Sequence, residues 1–301
     1  MKQYDSSTGL KRLCGLFGKT RQAFYDQSWR SSDEQLQEAL VIDKVKTIRS
    51  HIPGIGGVKL YNMIKPELQL HAIALGRDRF YELLRKHDLL IKRKKRYTIT
   101  TDSNHPYYKW PDLTGSFTLT GIEQLWVSDI TYLRTADGFV YLSLITDAYS
   151  RKIMGYHVSQ HLKAQGCIIA LNKAIKGLSS TKENRQLIHH SDRGIQYCCE
   201  PYVTTLQNNN INISMTQTGS PYDNAVAERV NGILKHQLGL GQVFKNYAAA
   251  VQGVCSAIDA YNCIRPHRSV SNLTPEQAHS TNQPLIKKWK NNKQYNKTMK
   301  L

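Results

Sequence analysis

The sequence lacks long apolar runs, metal-binding cysteine pairs and an abundance of acidic residues. No apolar stretch approaches the ~18 residues of a membrane span, and the opening residues have no apolar core of a secretion signal. The six cysteines include no CxxC pair, which argues against a zinc ribbon or a disulfide framework. Only nine prolines and a hydrophobic fraction of 40% exclude collagen-like and disordered classes. We therefore expect a folded, cytoplasmic protein with reduced thiols and no membrane partner.

The shortage of acidic side chains is the strongest signal in the composition. The 301 residues carry 41 Lys and Arg against 23 Asp and Glu, a net charge of +18. The excess lies at the ends, because residues 1–110 have 21 basic and 11 acidic side chains and residues 271–301 have six and one. Such segments attract polyanions through counterion release. This distribution favours DNA-binding arms around a nearly neutral middle, with a purely solubilising charge as the alternative.

The first 50 residues have a helical pattern. Leu10, Leu13 and Leu16 recur at helical spacing, and a Gly-Lys-Thr break separates them from a second, short amphipathic segment. We interpret residues 1–50 as an N-terminal helical region that is compatible with a helix-turn-helix.

A second helical module is expected over residues 51–96. A glycine-rich start leads into a helix near 57–64, and a second amphipathic helix begins at Arg77. The five consecutive cations that follow are suited to a phosphate backbone and favour a helix-turn-helix-like DNA-binding module. A helical packing module with a solvated linker is the alternative. The candidate DNA contacts are Arg77, Arg79, Lys92, Arg93, Lys94, Lys95 and Arg96.

The remainder of the chain changes to a strand pattern. Residues 97–120 are interpreted as a linker because they lack periodicity. Residues 121–282 begin with three hairpin-connected strands and continue with alternating helices and strands. This order predicts an α/β fold of the RNase H-like kind, a mixed sheet flanked by helices and preceded by the all-α region. Residues 283–301 form a basic C-terminal tail.

Three carboxylates stand out within that middle region. Asp129 lies on the same strand face as Leu125 and Val127, an unfavourable place for a charge without a partner. Asp192 is at the exit of an apolar strand, and Glu228 is on a predicted helix. Three acids brought together from separate elements raise one another's pKa unless cations neutralise them. Two divalent ions would do so and would support in-line phosphoryl displacement, and hard oxygen ligands suit Mg²⁺.

The helix that carries Glu228 is predicted to start near Pro221, after a capping box formed by Ser220 and Asp223. Its apolar residues should form one buried stripe, leaving a polar face toward metal and substrate. The predicted stripe is Val226, Val230, Ile233 and Leu234, and the predicted polar face is Asn224, Glu228, Asn231 and Lys235.

Three sequence blocks carry a family resemblance. They are Trp126-x-x-Asp129-Ile-Thr-Tyr, His190-Ser-Asp192-Arg-Gly-x-Gln-Tyr and Ser220-Pro-Tyr-Asp-Asn-Ala-x-Ala-Glu228. These blocks, with 35 residues between Asp192 and Glu228, resemble the DDE integrase core of bacterial insertion-sequence transposases. The chain is most similar to the second-frame product of the insertion sequence three family, which is related in fold to retroviral integrases. A C-terminal block, Tyr261-Asn-x-x-Arg265-Pro-His267, also matches the family.

The resemblance implies a function and a set of site residues. It implies a DNA transposase in which Asp129, Asp192 and Glu228 are catalytic metal ligands for two Mg²⁺ ions, with Mn²⁺ as a substitute, and in which Lys235 and Asn231 face DNA. It also implies binding of terminal inverted repeats and target DNA by a homo-multimer that associates with the nucleoid. No zinc module of the retroviral kind is expected. We interpret Asp147 as a strand-end cap and His190 as a core hydrogen-bonder, and Arg265 and His267 either brace the fold or touch DNA.

Two other interpretations remain open. In the family the active enzyme is often a fusion with a first-frame product that supplies a leucine zipper, and this sequence shows no zipper heptads. A chain without that partner could be a non-catalytic DNA-binding regulator of transposition. A hydrolysis-only nuclease of the RNase H-like kind is the second alternative, and strand-transfer products would distinguish it from a transposase.

Overall fold

The computed structural model describes residues 10–91, 106–115, 117–178, 186–217 and 225–286. The chain divides into two compact units, one formed by residues 1–50 and 55–92 and the other by residues 51–54 and 93–301. None of the helices in the described ranges is both long enough and apolar enough to cross a membrane.

The first unit is helical, as the sequence predicts. A single helix of 31 residues replaces the short amphipathic segment expected after the Gly-Lys-Thr break. Its apolar and polar residues are spread around the helix, so periodicity alone gave no sign of its length. The described helices are α1 (Leu10–Leu16), α2 (Arg21–His51), α3 (Gly57–Leu70) and α4 (Arg77–Lys86).

Aromatic and aliphatic side chains hold α3 and α4 together. Phe80 is fully buried, and its ring centroid lies 5.5 Å from that of Tyr61. The Tyr61 hydroxyl donates to the Leu75 carbonyl at 2.9 Å, which ties α3 to the connection that precedes α4. Exposed ion pairs between Lys44 and Glu67 and between other charges of this unit add little to stability.

The second unit contains a six-stranded mixed sheet and its helices. Its strands are β1 (Leu125–Thr135), β2 (Gly138–Asp147), β3 (Ile153–Ser159), β4 (Ile188–Ser191), β5 (Asn212–Met215) and β6 (Val243–Phe244). Its helices are α5 (Ala164–Lys176), α6 (Ile195–Cys198), α7 (Glu200–Asn208), α8 (Ala225–Gln237), α9 (Tyr247–Asp259) and α10 (Pro275–Ser280), and a π-helical turn spans Ala260–Ile264.

The strand order is β3-β2-β1-β4-β5, and β6 pairs with the far end of β1. The first three strands are antiparallel, whereas β4 and β5 run parallel to β1. Three hairpin-connected strands followed by parallel strands with intervening helices are the arrangement expected from the sequence. The structure therefore confirms the predicted mixed α/β sheet.

Helices cover both faces of this sheet. On one face Trp126 and Ile130 pack with Leu171 of α5 and Tyr202 of α7, and Trp126 and Tyr202 are fully buried. On the other face Val127 packs with Ala227 of α8. Because successive side chains of a strand alternate between faces, Asp129 points to the α8 side.

A close approach of α5 to β3 requires a glycine. A Cβ at Gly155 would collide with the backbone carbonyl of Ala170. The absence of a side chain at this point lets the helix lie directly on the strand.

Candidate active site

Asp129 lies in the middle of β1, where two hydrogen bonds favour its ionised form while burial and neighbouring acids oppose it. Its Oδ1 accepts the Ile130 backbone N–H at 2.9 Å, and its Oδ2 accepts the Asn231 side-chain amide at 2.6 Å. Both hydrogen bonds favour the ionised form. Burial and the neighbouring charges of Asp192 and Glu228 oppose them and raise the pKa of Asp129 to about 7, with burial as the largest cause. The site is therefore short of positive charge.

Asp192 follows the last residue of β4. The ladder between β1 and β4 runs from Leu125 to Val127 on the β1 side, so the chain leaves β4 next to Asp129. The Gly194 N–H donates to Asp192 Oδ1 at 3.0 Å, which orients the carboxylate at the start of α6. Parallel neighbouring strands thus bring two acids that are 63 positions apart into one place.

Glu228 lies in the first described turn of α8 and is exposed. Its charge contributes to the raised pKa of Asp129, so α8 brings it to the same edge of the sheet. Among the described residues, no three His, Cys, Asp or Glu side chains already form a group that could hold a metal ion. The three acids interact electrostatically without making a closed ligand set. The predicted capping box at Ser220 and Asp223 lies outside the described residues.

Asn231 lies on the face of α8 that was predicted to meet metal and substrate, and its amide donates to Asp129. Asn231 is only 8% exposed, since a hydrogen-bonded amide is readily buried. The other amide atom, Asn231 Oδ1, is buried without a hydrogen-bond partner in the described part of the chain. Val226, predicted in the buried stripe, is only partly buried.

Lys235 is one turn of α8 beyond Asn231 and is half-buried. Burial lowers the pKa of Lys235, and the charge of Asp129 acts in the opposite direction. The lysine therefore lies within electrostatic reach of Asp129, as the spacing along the helix suggests.

Four other motif residues belong to the scaffold. Asp147 Oδ1 accepts the Ser150 N–H and Oδ2 accepts the Glu123 N–H, at 2.7 and 2.8 Å, as expected for a strand-end cap. His190 Nδ1 lies 2.8 Å from the Ser214 hydroxyl. Arg265 is 1% exposed and donates to Gln237 Oε1 at 2.9 Å, and His267 is 5% exposed, so both side chains brace the fold.

The expected linker includes an ordered attachment to the sheet that the sequence did not reveal. The Leu113 N–H donates to the Ser214 hydroxyl at 2.9 Å, and the Met215 N–H donates to the Pro111 carbonyl at 3.3 Å. These contacts cover the outer edge of β5. The hydrogen-bond partners of this segment are about 100 residues away in the sequence, so its local composition could not predict the attachment.

The predicted DNA contacts of the first unit are partly described. Arg77 and Arg79 are exposed on α4, with 66% and 56% of their side-chain surfaces accessible. The cationic run Lys92, Arg93, Lys94, Lys95 and Arg96 lies outside the described residues.

Comparison with known proteins identifies two family models that match the second unit. A family model described as an integrase core domain matches residues 121–221, and a second with that description matches residues 209–275. A 31 kDa protein of insertion element IS600 from Shigella sonnei, described as uncharacterized, is 31% identical over 271 residues. That match covers 87% of this chain and 96% of the relative.

Two further similarities cover about half of this chain. Transposase InsF of insertion sequence IS3A from Escherichia coli K12 is 36% identical over 171 residues, covering 56% of this chain and 58% of that protein. In solved structures, the integrase catalytic core domain of HTLV-2 in complex with magnesium is 18% identical. It covers 53% of this chain and 97% of that chain with a TM-score of 0.41.

The matched core domain and the near full-length relative define the class as insertion-sequence proteins with an integrase core. Within that class, the chain belongs with the 31 kDa protein of insertion element IS600, and part of it is similar to the IS3 transposase InsF.

Proposed function

We propose that this protein cleaves the ends of its insertion sequence and joins them to target DNA at the site formed by Asp129, Asp192 and Glu228. The observation that carries the proposal is that β1, the exit of β4 and α8 meet at Asp129, which Asn231 of α8 contacts at 2.6 Å and whose pKa is raised to about 7 by burial and by the charges of Asp192 and Glu228. Clustered carboxylates weaken binding of a phosphate backbone unless cations join them. A chain that only bound DNA would gain nothing from this arrangement.

The side chains present fit divalent metal ions. Carboxylate oxygens are hard ligands of the kind that Mg²⁺ prefers, and Mn²⁺ accepts the same ligands. The buried Asn231 Oδ1 without a partner adds one more oxygen beside Asp129. When bound, two ions would activate a water or a 3′-hydroxyl and stabilise the leaving oxygen of an in-line displacement.

Each acid would have a distinct part in the site. Asp129 is fixed by two hydrogen bonds and would set the position of the shared ligand oxygens. Asp192 is oriented by the Gly194 N–H. Glu228 is exposed on α8 and would close the ligand set when DNA binds. Lys235 would contact a phosphate close to the reacting bond.

We propose that DNA supplies the two substrates, the terminal inverted repeats and the target. Arg77 and Arg79 of α4, together with the cationic run at 92–96, would bind the repeats through their phosphates. Two ends must be processed together, so we expect a multimer on DNA, in which a first-frame partner protein is fused to or assembled with this chain.

The test is a Mg²⁺- or Mn²⁺-dependent assay on DNA that flanks this reading frame in its genome. The parent should nick the ends and join them to target DNA, and Asp192→Asn should bind the same DNA without cleaving it. Nicking without joined products would identify a hydrolysis-only nuclease. Tight binding without cleavage, even when the first-frame product is added, would identify a regulator.

A further inference from the structure

A basic and aromatic segment precedes the attachment of the linker to β5. Residues 107–110 have the sequence Tyr-Tyr-Lys-Trp. Tyr107 and Tyr108 are 44% and 69% exposed, and Lys109 is exposed beside them. Trp110 packs on the hydrophobic core, and its ring meets the Tyr108 ring edge-on at 5.2 Å between centroids. The Tyr108 ring is therefore supported from the core while most of its surface stays accessible.

Two hydrogen bonds fix the direction in which this segment runs along β5. The Leu113 N–H donates to the Ser214 hydroxyl at 2.9 Å. One residue further along β5, the Met215 N–H donates to the Pro111 carbonyl at 3.3 Å. A step back along the segment is therefore a step toward the carboxyl end of β5, so residues 107–110 lie toward that end of the strand.

Asp192 lies at the same end of the sheet. β4 and β5 are parallel, and Met215 pairs with Ser191, the residue directly before Asp192. Neighbouring chains in a sheet are about 4.8 Å apart, so the segment beside β5 is about 10 Å from β4. That distance corresponds to about three nucleotides of a DNA strand at about 3.4 Å each.

Positive charge lies on the β5 side of Asp192. The Arg193 Nη2 donates to Gln217 Oε1 at 3.4 Å, so the Arg193 side chain extends toward the residues that follow β5. Burial and the charge of Asp192 raise the pKa of the Cys198 thiol to about 11, and the charges of Lys109 and Arg193 act in the opposite direction. Asp192, Arg193 and Lys109 are therefore close enough to act on one point of α6.

We propose that the edge strip formed by Tyr108, Lys109 and Arg193 binds the DNA strand that passes Asp192, with an unpaired base stacked on Tyr108 and phosphates on the two cations. The inference rests on the proposed function. An accessible aromatic ring next to cations is the usual surface for single-stranded nucleic acid, because every base has a face on which a ring can stack. The two cations favour a polyanion over an apolar partner.

The test is photocrosslinking of the full-length protein to flanking DNA that has a short unpaired stretch next to the cleavage position. Ca²⁺ replaces Mg²⁺, because it accepts the same oxygen ligands. 5-Iodouracil replaces each unpaired base in turn, since light couples it to an aromatic ring on which it stacks. The parent should couple most strongly from positions about three to five nucleotides from the cleavage position. Mass spectrometry of the peptides should place the bond at Tyr108.

Matched variants separate stacking from charge and from folding. Tyr108→Leu should abolish the crosslink and weaken binding of the unpaired DNA by about 5- to 150-fold, with little effect on the paired duplex. Tyr108→Phe keeps the ring and should retain both. Lys109→Met and Arg193→Met should each reduce the slope of log Kd against log salt concentration by about 0.7, the equivalent of one phosphate contact on a single strand. Phe139→Leu removes a ring that is 51% exposed on β2 and should change nothing.

Two results would overturn the proposal. The first is a crosslink that is unchanged in Tyr108→Leu or that maps outside residues 107–110. The second is a Tyr108→Leu variant with unchanged DNA affinity and altered sedimentation, since the ring would then belong to an interface between copies of this chain.

The cleavage assay distinguishes failure of the edge strip from failure of the proposed function. A parent that cleaves and joins DNA while Tyr108→Leu crosslinks like the parent refutes only the edge strip. A parent that crosslinks through Tyr108 but gives no cleaved product with Mg²⁺ supports the edge strip and refutes the proposed function.

Discussion

Replacing Asp129 with asparagine should stabilise the catalytic unit, and the gain should grow as the pH rises. Burial and the charge of Asp192 raise the pKa of Asp129 from 3.8 to about 7 in the folded state. Between these two values the folded protein holds a proton that the unfolded chain has released. The parent therefore loses about 1.4 kcal/mol of stability per pH unit over that interval. The total above pH 7 is on the order of 4 kcal/mol.

Asparagine has no such titration and fits the local hydrogen bonds. Its carbonyl can accept the Ile130 N–H, and its amide can donate to Asn231 Oδ1, which is buried without a partner in the described residues. The advantage of Asp129→Asn over the parent should grow by about 2–3 kcal/mol between pH 5 and pH 8. For a unit of this size that is roughly 5–10 °C in Tm.

The assay is thermal unfolding followed by circular dichroism at pH 5 and pH 8, in EDTA. Asp137→Asn, at an exposed carboxylate in the β1–β2 turn, is the control and should give the same small shift at both pH values. Adding Mg²⁺ at pH 8 should stabilise the parent and not Asp129→Asn. A Tm difference between parent and Asp129→Asn that is equal at pH 5 and pH 8 would refute the reasoning.

Three further outcomes follow from the contacts of α8 and β3. Asn231→Ala removes the hydrogen bond to the Asp129 carboxylate, so the Mg²⁺ concentration for half-maximal cleavage should rise roughly tenfold. An unchanged Mg²⁺ concentration would show that this hydrogen bond does not contribute to metal binding. Lys235→Met should reduce the slope of log Kd against log salt concentration by about one, the equivalent of one phosphate contact, as measured by fluorescence anisotropy of labelled DNA. The same variant should not lower the stability of the unit. Gly155→Ala should destabilise the unit by about 1–3 kcal/mol in urea unfolding, because its Cβ meets the Ala170 carbonyl. Gly232→Ala, which has open space in α8, should stabilise it by about 0.5–1 kcal/mol, and equal effects of the two would contradict this packing.

Much of the fold was predictable because its signals are local. Alternating residues around Asp129, the turn at Asp137-Gly138 and the apolar stripe of α8 each specify an element from its own residues. Asp129 could be selected because its charge lies on an apolar strand face, and Asp192 and Glu228 because they lie at a strand exit and on a helix within blocks that resemble those of the family.

The rest depends on contacts that no local pattern encodes. The length of α2 was missed because its apolar residues do not follow one stripe. The burial of Asn231 depends on Asp129, which is 102 positions away, and the attachment of Leu113 to Ser214 spans 101 positions. Such pairs become visible only once the sheet has brought the elements together.

The most direct test of the central claim is to map the metal site by its own chemistry. Fe²⁺ replaces Mg²⁺ in oxygen-ligand sites, and with peroxide it cuts the polypeptide next to its ligands. Bound to flanking DNA, the parent should be cut beside Asp129, Asp192 and Glu228 together, and Asp192→Asn should lose all three cuts. Cuts confined to other parts of the chain, or cuts that persist at all three positions in Asp192→Asn, would contradict the assignment of these carboxylates to one metal site.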